Sequence, residues 1–167
     1  MRRYKILGFR RRRLGMTNYE KRLNLLKSRK TRVVIRKSNR YIQIQFIEYV
    51  NKGDKVLTTV SSKNLKKLGW KYSCKNLPAA YLVGFYSGKI AKERKIEEAI
   101  LDLGLYYITK GSILFAALKG IVDSGLKVPH SPEIFPNENR LKGDNSKNKD
   151  TIKKDFEAVL LRIKGEK

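Results

Sequence analysis

Residues 32–60 constrain the fold more than any other stretch, because they hold three runs rich in Val, Ile, Tyr, Phe and Thr, separated by short turn sequences. In the middle run Ile42, Ile44 and Phe46 alternate with Tyr41, Gln43 and Gln45. Alternation with a period of two gives a sheet one apolar face and one polar or aromatic face. Lys37, Ser38, Asn39 and Arg40 suit a tight hairpin between strands at 32–36 and 40–50. Residues 51–54 supply a second turn, with Gly53 able to take a positive φ, and 55–60 make the third antiparallel strand. Such a sheet needs helices over its apolar face.

The segments that follow provide them. Ser61 or Ser62 caps a short helix through Leu68, which Gly69 ends. A longer helix is predicted over 78–95, with Pro78 early in its first turn, where the missing N–H costs nothing. Ala80, Gly84 and Gly88 recur along it at every fourth residue, so one side lies close against a sheet or another helix. The run AILDL at 99–103 reads as a fourth strand lying parallel to a neighbour, and residues 112–124 as a helix that Gly125 closes. The fold class expected is a layered α/β, mixed α+β domain. Its three-stranded antiparallel sheet is extended by one further strand, with helices packed on one face.

Two flanks differ in character. Residues 1–16 mix Arg, Lys and Gly with scattered apolar residues and no burying period, which predicts a basic arm that phosphate orders. Thr17 and Glu20 form a capping-box pair ahead of a short helix whose apolar stripe is Tyr19, Leu23 and Leu26. Its other side carries Lys21, Arg22, Arg29 and Lys30. Residues 128–148, punctuated by Pro129, Pro132 and Pro136, read as extended loop, followed by a terminal helix with Ile152, Phe156, Leu160 and Ile163 on one face. That face requires cover, from the chain's own core or from a neighbour. The division expected is an arm at 1–16, a core at 17–127 and an extension at 128–167.

Charge narrows the partner. The first 37 residues hold 15 Lys and Arg against Glu20 alone, within a chain of net charge +24. A field of this kind seeks phosphate and steers encounter with nucleic acid through counterion release. One Cys and one His cannot build a structural zinc site or an internal disulfide, so no metal or other cofactor is expected. No apolar run reaches membrane-spanning length and no secretory apolar stretch opens the chain, which predicts a soluble intracellular protein without a membrane partner. His130 stands between prolines without a catalytic companion, and Lys110-Gly111-Ser112 is only a fragment of a phosphate-cradling loop. Enzymatic activity is not expected.

The basic residues divide by task. Arg2, Arg3, Lys5, Arg10, Arg11, Arg12 and Arg13 reach phosphates along a grooved RNA surface, and Arg29, Lys30, Arg32, Arg36 and Lys37 sit near an ordered sheet edge. Tyr41 and Tyr49, on the face opposite Ile42 and Phe46, offer rings for stacking on exposed bases as well as for local packing. Two readings follow from this platform: a structural RNA binder, or a small RNA-modification or processing factor.

Five stretches carry a family resemblance. They are RRYKILGFRRRRLGMTNYEKRLNLLKS at 2–28, RVVIRKSNRYIQIQFIEY at 32–49, NLPAAYLVG at 76–84, AILDLGL at 99–105 and KGSILFAALKGIVDSGLKVPHSPEIFP at 110–136. In this order they resemble the archaeal and eukaryotic branch of the universal large-subunit ribosomal protein that binds 5S rRNA, protein eighteen in bacterial and archaeal naming and protein five in eukaryotic naming. The resemblance implies a non-enzymatic constituent of the cytoplasmic large (50S) subunit, seating 5S rRNA in the central protuberance beside 23S rRNA and neighbouring proteins, including the other 5S-binding protein. It places RNA contacts on the arm at Arg10, Arg11, Arg12 and Arg13, on the helix from Tyr19 to Lys30, and on the hairpin Arg36, Lys37, Ser38, Asn39 and Arg40. The GLKVPHSPEIFP stretch and the modest length imply an archaeal form, and residues 137–167 match least.

Overall fold

A computed structural model describes residues 7–144 and 149–165. In chain order the elements are α1 (Arg10–Arg13), α2 (Tyr19–Lys27), β1 (Arg32–Lys37), β2 (Ile42–Val50), β3 (Gly53–Ser61), a 3₁₀ helix (Ser62–Leu68), α3 (Leu77–Glu93), β4 (Ile100–Asp102), α4 (Ile113–Asp123), a 3₁₀ turn (Pro132–Ile134), α5 (Glu138–Leu141) and α6 (Lys149–Lys164).

The strands form one sheet in the order β3-β2-β1-β4. The first three pair antiparallel and β4 lies parallel to β1, with Val33 opposite Leu101, as the crossover through α3 requires. Alternation places Val33, Ile35, Ile42, Ile44, Phe46 and Val60 on one buried face. Helix α3 covers β2 and β3 there, and α4 covers β1. A bulge shifts the β2–β3 register between Phe46 and Ile47, which brings Ile47 opposite Val56 on the second face. That second face is less open than alternation suggests: Val34 and Ile47 are both buried on it.

The small-residue seam of α3 meets α4, not the sheet. A Cβ added at Gly84 would overlap the Ala117 carbonyl oxygen and lie 2.9 Å from its carbonyl carbon. One added at Gly120 of α4 would overlap the Tyr81 oxygen and approach Phe85 N to 2.7 Å. The two backbones therefore touch through reciprocal glycines, with α3 lying between the sheet and α6.

The extension folds back onto this core. Ile152, Phe156, Val159 and Ile163 of α6 are buried, with Leu160 half-buried, and the Phe156 ring sits 5.6 Å from Tyr81. Polar bonds fix its C-terminal end: Arg162 donates to Leu68 O at 2.8 Å, and Lys89 donates to the carbonyls of Ile163 and Lys164, satisfying acceptors of the last turn. The chain's own core thus covers the terminal stripe. The stretch expected to be loop contains the 3₁₀ turn and α5, whose Leu141 packs into the core and so gives the short helix a buried anchor. Residues 145–148 of that stretch lie outside the described residues.

Candidate RNA interface

Helix α2 begins one residue later than the capping-box reading predicts. Asn18 is the N-cap and its side-chain oxygen accepts from Lys21 N at 3.0 Å, an equally effective cap. Glu20 then falls one position too early to reach back. The Thr17 hydroxyl instead accepts from Arg11 Nε at 3.1 Å. No residue of α2 is buried and Leu23 of the expected stripe is 55% exposed, so the helix is not held by an apolar seam.

Polar bonds attach it to the second face of the sheet. Arg22 Nη2 meets Asp54 Oδ2 at 2.8 Å, and Lys21 Nζ donates to Gly104 O at 3.0 Å. Asp54 Oδ1 also meets Arg32 Nη2 at 2.8 Å, and Arg32 Nη1 meets Asp102 Oδ2 at 2.9 Å. Asp102 Oδ1 accepts from Gly104 N, which closes the chain of contacts. Burial pushes the Asp54 carboxyl up, but hydrogen bonds from Arg22 and Arg32, with their charges, outweigh it and hold the group below its ordinary value.

This network removes Arg32 from the phosphate-facing set predicted by sequence. Its side chain is 2% exposed and both terminal nitrogens are committed to carboxylates. Meeting RNA would mean breaking a buried double ion pair.

The other positions are arranged as follows. In the described part of the arm, α1 makes one turn with all four arginines exposed, and the Phe9 ring centre lies 5.6 Å from that of Tyr19 in α2, the planes tilted by 33°. Arg2, Arg3 and Lys5 lie outside the described residues. Arg11, Lys21, Arg22 and Arg36 line one cleft between the arm, α2 and the β1–β4 side of the sheet. Arg36, Lys37, Ser38, Asn39 and Arg40 are exposed at the hairpin, where the Ser38 hydroxyl donates to Tyr41 O and accepts from the amides of Arg40 and Tyr41. Tyr41 is half-buried against the core, whereas Tyr49 is exposed. Lys30 pairs with Glu98 at 2.7 Å.

Arg29 takes φ +55° just past the end of α2, a left-handed position where glycine is cheaper. Its side chain is exposed. Asp54 and Asp102 were missed by sequence reasoning, because nothing local signals a partner 22 or 70 residues away. The exposed loop after β4 was missed too, although its unpatterned apolar run LYYI between Gly104 and Lys110 is visible in the sequence.

The chain is similar throughout this region to known proteins. The family described as "Ribosomal large subunit proteins 60S L5, and 50S L18" matches residues 2–95 and 85–131. A large ribosomal subunit protein uL18 of Korarchaeum cryptofilum is 57% identical over 143 residues, covering 86% of this chain and 73% of the relative. The uL18 of Methanothrix thermoacetophila is 51% identical over 142 residues, covering 85% of this chain and 83% of that one.

Proposed function

The chain belongs to the large-subunit ribosomal protein family that spans 60S L5 and 50S L18, and from that premise we propose that it binds 5S rRNA and helps join it to 23S rRNA in the central protuberance. It acts there as a structural component of the cytoplasmic large subunit, not as an enzyme, beside neighbouring ribosomal proteins that include the other 5S-binding protein. The observation that carries the reading is the gathering of Arg11, Lys21 and Arg36 around one cleft, with the arm and the 36–40 hairpin alongside it, on the face that α3 and α4 leave free. Cations on three separately positioned elements match phosphates spread over a folded RNA surface better than a single groove does.

Binding of purified protein to 5S rRNA, titrated against salt, tests this. About 6 to 10 phosphate contacts imply a loss of roughly 10³ to 10⁵ in affinity between 50 and 200 mM salt. Equal affinity for a duplex RNA of the same length would leave only electrostatics and defeat the reading.

A further inference from the structure

The loop that follows β4 carries apolar side chains with no protein to cover them among the described residues. Tyr107 is 93% exposed, Ile108 70% and Leu105 54%. Solitary exposed apolar residues are ordinary, but a cluster within four residues marks a contact surface. The loop is also held in place. Asp102 accepts from Gly104 N at its base, and Lys21 of α2 donates to Gly104 O. The Tyr106 hydroxyl donates to Lys37 O at 2.9 Å while accepting from Lys37 N, with Lys37 Nζ 5.6 Å from the ring centre. Its aromatic tip is thus presented by an anchored base that the hairpin and α2 both brace.

The geometry points to the 105–108 loop as a second, stacking arm of the RNA site, with Tyr107 laid against an unpaired base of the same RNA whose phosphates the basic elements hold. This deepens the proposed function and rests on it. Charge selects the occupant. The cleft that contains Gly104, Leu105 and Tyr106 also contains Arg11, Lys21 and Arg36. An apolar groove on a protein partner would satisfy Leu105 and Ile108 but leave Arg11, Lys21 and Arg36, none of which has a carboxylate partner among the described residues, without a counter-charge. A nucleotide satisfies both, its base taking the ring and its phosphate the charge.

Tyr107→Ala tests the assignment without disturbing the fold, because the side chain touches almost nothing. Loss of one stacked base is expected to weaken 5S rRNA binding about fivefold to a hundredfold. The slope of log affinity against log salt stays unchanged because no cation is removed, whereas Arg11→Ala lowers that slope by about one phosphate. Tyr107→Trp is expected to retain affinity and to lose fluorescence when 5S rRNA is added, since Trp70 is buried and supplies a constant background. Wild-type affinity in the alanine variant, or no quenching in the tryptophan variant, overturns the inference. So does unchanged 5S affinity with reduced uptake into 50S particles, which would assign the loop to a protein neighbour. If the wild-type protein shows no preference for 5S rRNA, the functional proposal itself fails; if only the Tyr107 effects are absent, that proposal stands and the stacking arm falls.

Discussion

Replacing Gly84 with alanine asks the α3–α4 seam to hold one methyl group where the facing atoms are backbone. The new Cβ would overlap the Ala117 carbonyl oxygen and sit 2.9 Å from the carbonyl carbon and 3.1 Å from Ala117 Cα. Carbon atoms rest about 3.5–4.0 Å apart, and the overlap with the oxygen is tighter still, so the helices must separate by more than about 1 Å at the crossing. No rotamer change relieves a clash with backbone, which puts the cost near the upper end of the usual overpacking range of about 1–3 kcal/mol. Alanine recovers about 1 kcal/mol through its better helix propensity, leaving a net loss of about 2 kcal/mol. For a domain of this size that corresponds to a fall of about 4–8 °C in melting temperature. Gly84→Val loses the propensity gain, adds two methyls, and should fall further. The assay is thermal and urea unfolding of the free protein, with Gly120→Ala as the reciprocal variant. Because Gly120 faces Tyr81 and Phe85 across the same crossing, the double variant should cost less than the sum of the singles, the helices having already parted. An unchanged or raised midpoint for Gly84→Ala would mean the seam is open, and the account of how the helix layer closes would be wrong.

Three further outcomes follow from the same geometry. Arg29→Gly relieves a left-handed backbone that costs about 1–2 kcal/mol; after the added freedom of the unfolded glycine, about 0.5–1 kcal/mol of stability remains, while 5S rRNA affinity falls with the lost cation, and unfolding midpoints with salt-dependent binding check both directions. Asp54 has a folded-state pKa below its unfolded one, so its contribution is complete above the ordinary carboxylate range near pH ~4 and disappears as pH falls through the lower folded value; urea midpoints between pH ~5 and ~2 should fall less steeply in Asp54→Asn than in the wild type, and parallel curves would refute the ion pair's role. Phe156→Ala removes a buried ring from beneath α6 at a cost of about 3–5 kcal/mol and should speed amide exchange across the helix while leaving 5S rRNA affinity within a few-fold; a hundredfold loss would assign α6 to the RNA-binding unit.

The sequence by itself determined whatever depends on neighbours along the chain. The alternation of Ile42, Ile44 and Phe46 is a local period, so the meander and its buried face were legible, as were the helix with Pro78 in its first turn and those closed at Gly69 and Gly125. Net charge is a sum over residues, so the class of partner was legible too. The structure decided what depends on pairing across the fold. Arg32 resembles every other arginine in the basic third, and only the approach of Asp54 and Asp102 turns it inward and takes it out of the exposed basic surface. The spacing of Gly84 and Gly88 announces a close approach without saying to what; α4 is the answer because its Gly120 leaves matching room. The stripe on α6 demands cover, and Tyr81 beside Phe156 shows that the chain supplies it. In each case the deciding energy comes from a contact between residues far apart in sequence, where one partner's pattern holds no record of the other.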